Sequence, residues 1–524
     1  MQKHNMRTEK KSSIKNSATR LILIALLVLI QTAWMIFLMS KLNTYSTAIT
    51  LSLTCLAVII ALKIFGTHVN SAQRMPWLIV ITAVPFFGIC IYLLFGRSIV
   101  TKGMRRRFNG IEADILEHKL KQEKSIIDEI AAIDKGVANQ CRYIADTAKY
   151  PVYKNTDMEY YKNADESFEA QLEELSRAEQ FIFMEYHAIE DAISFARLKK
   201  VLIDKAKSGV EVRIFYDDLG SIFFLNKEFI KRMREEGIQC RVFNPLKVVV
   251  NMFMNNRDHR KITVIDGKVG FTGGYNLADE YFNITHPYGY WKDTGIKLTG
   301  DAVRSLTASF LTMWNAIDHT DSQEDYDRYL DATDGTYKAA AKNCYVQPYS
   351  DNPLGQDRIG EDVYLNILKN AKDYVYITTP YLIITDEMER ELRLAVKRGV
   401  DVRIVTPGIP DKKLVYKITR SYYEPLCSAG VRIYEYTPGF CHAKQWVCDD
   451  EISVVGTINM DFRSLYLHFE NAVFTYNKEL AAKVKEDMLN NFEVSCEVTT
   501  DYAVDVIRPL KLGTCLLHMI SPLL

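Results

Sequence analysis

Residues 257–276 read Arg257-Asp-His-Arg-Lys-Ile-Thr-Val-Ile-Asp-Gly-Lys-Val-Gly-Phe-Thr-Gly-Gly-Tyr-Asn276, and residues 440–459 read Phe440-Cys-His-Ala-Lys-Gln-Trp-Val-Cys-Asp-Asp-Glu-Ile-Ser-Val-Val-Gly-Thr-Ile-Asn459. In each, a histidine and a lysine stand two apart (His259 and Lys261; His442 and Lys444). An aspartate follows the lysine by 5 positions (Asp266; Asp449), and an asparagine follows the histidine by 17 (Asn276; Asn459). Side chains at i and i+2 of a strand point to one face, so each imidazole shares a face with an ammonium. The runs Ile262–Ile265 and Gln445–Cys448 end at Asp266-Gly267 and Asp449-Asp450, dipeptides that form tight turns. Each segment therefore predicts a hairpin. Closed by a two-residue turn, it puts Gly274 opposite His259 and Thr457 opposite His442, with imidazole, ammonium and carboxamide converging at its end. One H-x-K in a strand carries no information, whereas two copies with matched internal spacings do.

Outward from these hairpins the chain repeats itself. Gly209-Val-Glu-Val-Arg-Ile214 recurs as Gly399-Val-Asp-Val-Arg-Ile404, and Gly237-Ile-Gln-Cys-Arg-Val-Phe-Asn-Pro245 is echoed by Gly430-Val-Arg-Ile-Tyr-Glu-Tyr-Thr-Pro438. The apolar runs Phe181–Tyr186 and Tyr374–Tyr381 precede comparable helical segments. Each half reads strand, helix, strand, helix, strand, the pattern of βαβ units with mostly buried sheets. So long a period means duplicated domains. The expected class is α/β: two pseudo-symmetric lobes, each a mixed sheet flanked by helices, facing one cleft. The lobes are expected at residues 141–340 and 341–524.

Ahead of them, residues 1–108 form an apolar region with two or three expected spans, at about Leu21–Met39, Ala48–Phe65 and Trp77–Phe95. Each approaches the ~20 residues a helix needs to cross a bilayer. Basic clusters flank both ends (Lys3 to Arg20; Arg97 to Arg107), and the positive-inside rule would put both in the cytoplasm, which three full crossings cannot do. Pro85 offers a bend that would make the third segment re-entrant. Residues 109–140 are expected to be a charged helical linker, solvated along its length. The C-terminal stretch from Val506 is apolar but broken by Pro509, Gly513 and Pro522, an expected interfacial element.

Composition narrows the function. The formal net charge is zero, so no global field draws nucleic acid, and a nuclease lacks its basic track. The 10 cysteines are scattered singly, as in a reducing compartment. Neither His286 nor His468 completes a set with zinc-ligand spacing, so no metal and no cofactor are expected. Cys441, next to His442, should point away from the site by strand alternation. An apolar insertion at 246–254 lies just before the first motif, where it would line an acyl-chain path, dip into the interface or form a buried core strand.

Both hairpin segments resemble the H-x-K-x4-D signature of the phospholipase D superfamily, and nearly the whole chain is similar to the bacterial cardiolipin synthases within it. The narrower likeness rests on Pro76-Trp-Leu78, Tyr92-Leu-Leu-Phe-Gly-Arg97, Asp279-Glu-Tyr281, Trp291-Lys-Asp-Thr294, Asp461-Phe-Arg-Ser464 and Ile520-Ser-Pro-Leu-Leu524. Two departures stand out: Thr457 where serine is commoner, and His468-Phe-Glu470 where Asn-x-Glu is usual.

The resemblance implies a double displacement. His259 attacks a lipid phosphorus to give a phosphatidyl-histidine, and His442 serves as acid and then base. Lys261, Lys444, Asn276, Asn459 and Thr457 hold the phosphate oxygens. Asp293 and Glu470 each orient a histidine. Asp266 and Asp449 complete the catalytic signature, from turn positions that suit a structural role equally. The implied reaction joins two phosphatidylglycerol molecules into cardiolipin and glycerol, at the bacterial plasma membrane, by a multi-pass protein with cytoplasmic lobes. Partners are the two lipids and the bilayer, and no nucleic acid. A hydrolytic phospholipase D and an inactive membrane scaffold are the alternatives.

Overall fold

The computed structural model describes residues 46–67, 69–96, 102–226, 228–245, 255–318, 325–331, 337–340, 344–505 and 512–521, with isolated positions between 26 and 37. Two sheets organise the chain. The first contains β1 (Thr156–Tyr161), β2 (Phe181–Tyr186), β3 (Glu211–Asp217), β4 (Gln239–Phe243), β6 (Lys261–Ile265), β7 (Val269–Gly273) and β9 (Gly295–Gly300), in the order β1-β9-β7-β6-β2-β3-β4. Two short strands, β5 (Arg257–Asp258) and β8 (Tyr290–Lys292), leave that sheet.

The second sheet runs β10-β19-β17-β16-β11-β13-β14-β20. Its strands are β10 (Tyr345–Asp351), β11 (Tyr374–Thr378), β13 (Asp401–Pro407), β14 (Arg432–Tyr436), β16 (Gln445–Cys448), β17 (Ile452–Gly456), β19 (His468–Tyr476) and β20 (Ser495–Glu497), with β12 (Leu382–Ile383), β15 (Gly439–Cys441) and β18 (Met460–Asp461) outside it. Strands β2-β3-β4 and β11-β13-β14 are parallel and joined through helices, as the repeat predicts; the motif hairpins add antiparallel strands.

The hairpin register departs from expectation by one residue in both lobes. Asp266 and Gly267 have positive φ (52° and 64°), as do Asp449 and Asp450 (51° and 57°), the geometry of a two-residue turn. Yet Ile265 pairs with Val269 and Cys448 with Ile452, so Lys268 and Glu451 are skipped and Gly274 is not opposite His259. The histidines lie beyond the strands and take backbone partners from the other lobe.

At those turns the aspartates hold the fold. Asp266 accepts the backbone N–H groups of Glu179, Gln180 and Phe181 at 2.7–2.8 Å, and Asp449 those of Lys372, Asp373 and Tyr374 at 2.8–2.9 Å. Each carboxylate thus ties its turn to the start of the neighbouring strand. Asp266→Ala or Asp449→Ala should lower stability by about 3 kcal/mol, because three N–H groups lose a charged acceptor at a left-handed position. Asn should recover part of it. Thermal unfolding reads the loss, while the folded fraction keeps its turnover; a stable but inactive variant would contradict this assignment.

The expected solvated linker is instead part of the core. The helices α4 (Lys102–Glu112) and α5 (Lys124–Ile133), with the π-helical stretch Ala113–Lys119 that continues α4, bury Ile115, Leu116, Leu120, Ile126, Ile127 and Ile130. Their charged residues occupy the other face, and the near-helical spacing of Leu116, Leu120, Ile126 and Ile127 meets a core rather than solvent. The helix Val303–Ile317, almost wholly buried, lies between the two sheets and joins the same core.

In the N-terminal region, α1 (Ser46–Phe65) is the one helix among the described residues that is long and apolar enough to cross a membrane, at 19 residues from Thr47 with mean hydropathy 2.3. The third expected span is not straight. α2 (Ser71–Ala83) ends at Val84, and Pro85 opens α3 (Pro85–Ile91). The chain doubles back so closely that a Cβ on Gly88 would sit 2.5 Å from the Ile81 Cα. Proline cannot continue the hydrogen-bond ladder, and glycine allows the two backbones to touch. The stretch at 21–39 and the 246–254 insertion lie outside the described residues, apart from a few helical positions in the former.

Candidate active site

The two lobes exchange strands at the motifs. β5 pairs in parallel with β19, His468 opposite Arg257, and the His259 N–H donates to the Phe469 carbonyl at 2.9 Å. β15 pairs with β8, and the His442 N–H donates to the Lys292 carbonyl at 2.7 Å. Buried ion pairs fix both: Asp217 accepts from Arg257 at 2.8 Å, and Lys292 of the first lobe pairs with Asp487 of the second at 2.6 Å.

The crossing decides which carboxylate serves which ring. Counting along each lobe pairs His259 with Asp293 and His442 with Glu470. The structure reverses this: His259 Nδ1 lies 3.0 Å from both Glu470 oxygens, and His442 Nδ1 lies 2.6 Å from Asp293 Oδ2. A carboxylate only accepts, so His259 Nδ1 carries the proton and its Nε2 keeps the lone pair; at His442 the Lys444 ammonium also lies 2.8 Å from Nδ1, and donation from Nδ1 to Asp293 is the arrangement that leaves Nε2 its lone pair. Both rings line one cavity of about 490 Å³.

The two carboxylates are housed differently. At Gly274 a Cβ would fall 2.1 Å from Asp293 Oδ1, so only glycine admits that side chain. The equivalent Thr457, 183 positions on, is fully buried, and its hydroxyl donates to Glu470 Oε2. Thr457, expected among the phosphate-binding groups, is therefore a support for Glu470, alongside Ser464 at 2.6 Å. Asn276 and Asn459 do line the cavity. Asn276 is oriented by the Ala188 N–H and by Tyr281, and the Asn459 Oδ1 has no partner. Asp266 and Asp449 do not line it.

Electrostatics follow from burial. Enclosure among Tyr281, Trp291 and Phe440, with Lys444 close by, brings His442 down to about 4, against the pull of Asp293. Burial and the Lys261 charge hold His259 well below its ordinary value. Burial also lowers Lys261 to about 7 and Lys444 to about 8, against the attraction of Glu470 and Asp293. Both ammoniums lie against their own motif's histidine carbonyl. For Asp293 the burial penalty is outweighed by His442 and Lys444, and its carboxyl titrates below the usual range.

Three further groups complete the wall. His187 lies at the end of β2, its Nδ1 2.7 Å from the Asp258 carbonyl and its ring 5.0 Å from that of His259. No motif marked it, since by strand register its counterpart 193 positions on is Pro380. His468 has its ring 5.5 Å from His259 and its Nδ1 3.6 Å from Glu470. Arg463 Nε donates to His468 Nε2 at 3.1 Å, which leaves the His468 proton on Nδ1, toward the carboxylate. His259, His468 and Glu470 offer donor atoms within 4.8 Å of one another, but Thr457, Ser464 and Arg463 already engage this trio as a hydrogen-bond network. His286 is exposed, and Cys441 is a buried thiol pushed up to about 12.

Paired lobes with two carboxylate-held imidazoles on one cavity are the arrangement of a phospholipase D-type enzyme. Residues 172–314 and 364–491 match the family described as cardiolipin synthase, PLD-like domain, and residues 52–97 match the phospholipase D-nuclease N-terminal family. An uncharacterized protein of Streptococcus mutans is 39% identical over 465 residues, covering 88% of this chain and 99% of that one. A cardiolipin synthase of Clostridium perfringens is 33% identical over 463 residues, covering 87% and 95%. The phosphatidylserine synthase of Haemophilus influenzae shares the fold, with TM-score 0.52 and 14% identity, covering 69% and 92%. The chain belongs to the cardiolipin synthase family of the phospholipase D superfamily, and it is a phospholipid phosphatidyltransferase.

Proposed function

We propose that this protein joins two phosphatidylglycerol molecules into cardiolipin and glycerol, at the bacterial plasma membrane, with cytoplasmic lobes and more than one membrane crossing. The observation that carries the chemistry is the pair of Nδ1-tethered imidazoles facing one cavity.

In the first half-reaction His259 Nε2 attacks phosphorus. The P–O bond to glycerol breaks, and His442, protonated by then, gives the departing oxygen its proton. In the second, His442 takes the proton from the hydroxyl of the incoming phosphatidylglycerol as that oxygen displaces His259. Glu470 and Asp293 stabilise the imidazolium forms. Lys261, Lys444, Asn276 and Asn459 answer the charge that builds on the non-bridging oxygens. A bound phosphodiester anion adds negative charge near His442 and so favours its protonated form.

Purified protein in vesicles with labelled phosphatidylglycerol tests this. Cardiolipin with equimolar glycerol is the expected product. Phosphatidic acid alone would mean a hydrolase, and absence of turnover a scaffold.

The lysines give a pH signature. Each must be charged to receive phosphate, and Lys261, at about 7, loses its proton first as pH rises. With a phosphatidyl ester whose nitrophenolate leaving group needs no proton from His442, the alkaline limb of kcat/KM should therefore begin near 7, while the depressed His259 keeps the acid limb below the ordinary histidine range. Arginine cannot lose its proton. In Lys261→Arg the alkaline limb should move up to about 8, where Lys444 titrates, even if the maximum falls. An unmoved limb would remove Lys261 from phosphate binding.

A further inference from the structure

A second cavity, of about 270 Å³, lies at the seam between the N-terminal helices and the lobes. From the membrane side it is lined by Ile64, Trp77 and Tyr92, and from the lobes by Asn255, Arg358 and Leu467, with Arg74 at the foot of α1. Two guanidiniums face it. Arg74 donates to the carbonyls of Phe65 and Thr67 and to the Ser71 hydroxyl, and Arg358 to the carbonyls of Gly355 and Asp357. None of these acceptors is a carboxylate, although Asp351 lies within electrostatic reach of Arg358, so an anion in the cavity would meet both guanidiniums without displacing an ion pair.

The other walls are apolar or amphipathic. Trp77 and Tyr92 meet edge to face at 5.4 Å, side chains suited to the depth of lipid headgroups. The volume equals that of about nine liquid waters at ~30 Å³ each, room for a phosphate headgroup but not for two acyl chains. Those chains have an exit: Ile59, Leu62 and Phe65 of α1, the helix that lends Ile64 to the wall, are exposed and apolar.

We propose that this cavity binds the phosphate headgroup of an anionic membrane phospholipid, as a site separate from the one that turns lipid over. The phosphate sits between Arg74 and Arg358, and the acyl chains run along α1 into the bilayer. Its far wall touches the catalytic machinery. Leu467 immediately precedes β19, and its carbonyl accepts from Asn256 at 2.9 Å, one residue before β5. The occupant therefore braces the very strand pair that brings His259 to Glu470. This rests on the reading of α1 as a membrane helix and not on the chemistry assigned to either histidine.

The test uses the full-length His259→Ala protein, which cannot turn lipid over, in phosphatidylcholine vesicles carrying a minority of photoreactive phosphatidic acid. Crosslinks at Trp77, Tyr92 or Leu467, mapped by mass spectrometry, are expected. Arg358→Gln, which removes a guanidinium from the half-buried N-cap of the helix Ile359–Asn370 and from the face of Tyr466, should reduce them about five-fold at unchanged thermal unfolding, while leaving any crosslinks in the catalytic cavity as they were. Crosslinking confined to the catalytic cavity, equal labelling by a photoreactive phosphatidylcholine, or indifference to Arg358→Gln would each overturn the proposal. Because the probe protein is inactive by design, failure here is distinct from failure of the transferase reading.

Discussion

A His442→Ala variant given a phosphatidyl ester with a nitrophenol leaving group should acquire one phosphatidyl group per chain, on His259. Nitrophenolate departs without a proton, so the first displacement survives loss of the acid. The second does not, because the acceptor hydroxyl has lost its base. The adduct therefore accumulates, and cardiolipin formation from phosphatidylglycerol falls by about 10⁴-fold or more. Mass spectrometry of the peptide carrying residues 257–261 reads the added group. An adduct on His442 in a His259→Ala protein would exchange the two roles. Unmodified protein in both variants would end the covalent mechanism.

The crossed carboxylates give the second large effect. Glu470→Gln should slow adduct formation from the nitrophenyl ester by ~10³- to 10⁴-fold, as loss of a triad carboxylate does elsewhere, because His259 loses the partner 3.0 Å from its Nδ1. Asp293→Asn should leave that burst within about ten-fold and instead slow transfer to the acceptor, since its partner is His442 at 2.6 Å. If pairing followed the order of the chain, the two variants would trade phenotypes. Burst and steady-state rates on one preparation separate these outcomes.

Much of this architecture could be read from sequence because it is written locally and written twice. The β-strand spacing of His259 and Lys261, the turn pair Asp266-Gly267, and their second copies 183 residues on specify two hairpins. What they do not specify is how the lobes meet. A strand of two residues such as β5 has no periodicity to detect, and its partner β19 begins more than 200 positions away. The exchange of Asp293 and Glu470 therefore stayed hidden. His187 was invisible for a related reason: its place in the wall depends on packing against Gly220 and Asp258 rather than on a repeated motif. For Thr457, position in the motif does not say whether the hydroxyl faces the cavity or, as it does, the carboxylate behind it. In the linker Leu116, Leu120, Ile126 and Ile127 recur near helical spacing, but whether such a stripe meets water or a core is decided by the lobes it packs against.

The exchange of β5 and β15 between lobes also sets a schedule for the chain as it is made. His259 leaves the ribosome more than 200 residues before Glu470, and the strand that seats it comes with that carboxylate. A nascent first lobe thus carries an imidazole without the carboxylate that holds it. Competence requires β19, so a chain truncated before it lacks the His259 partner and should be inert rather than a leaking lipase.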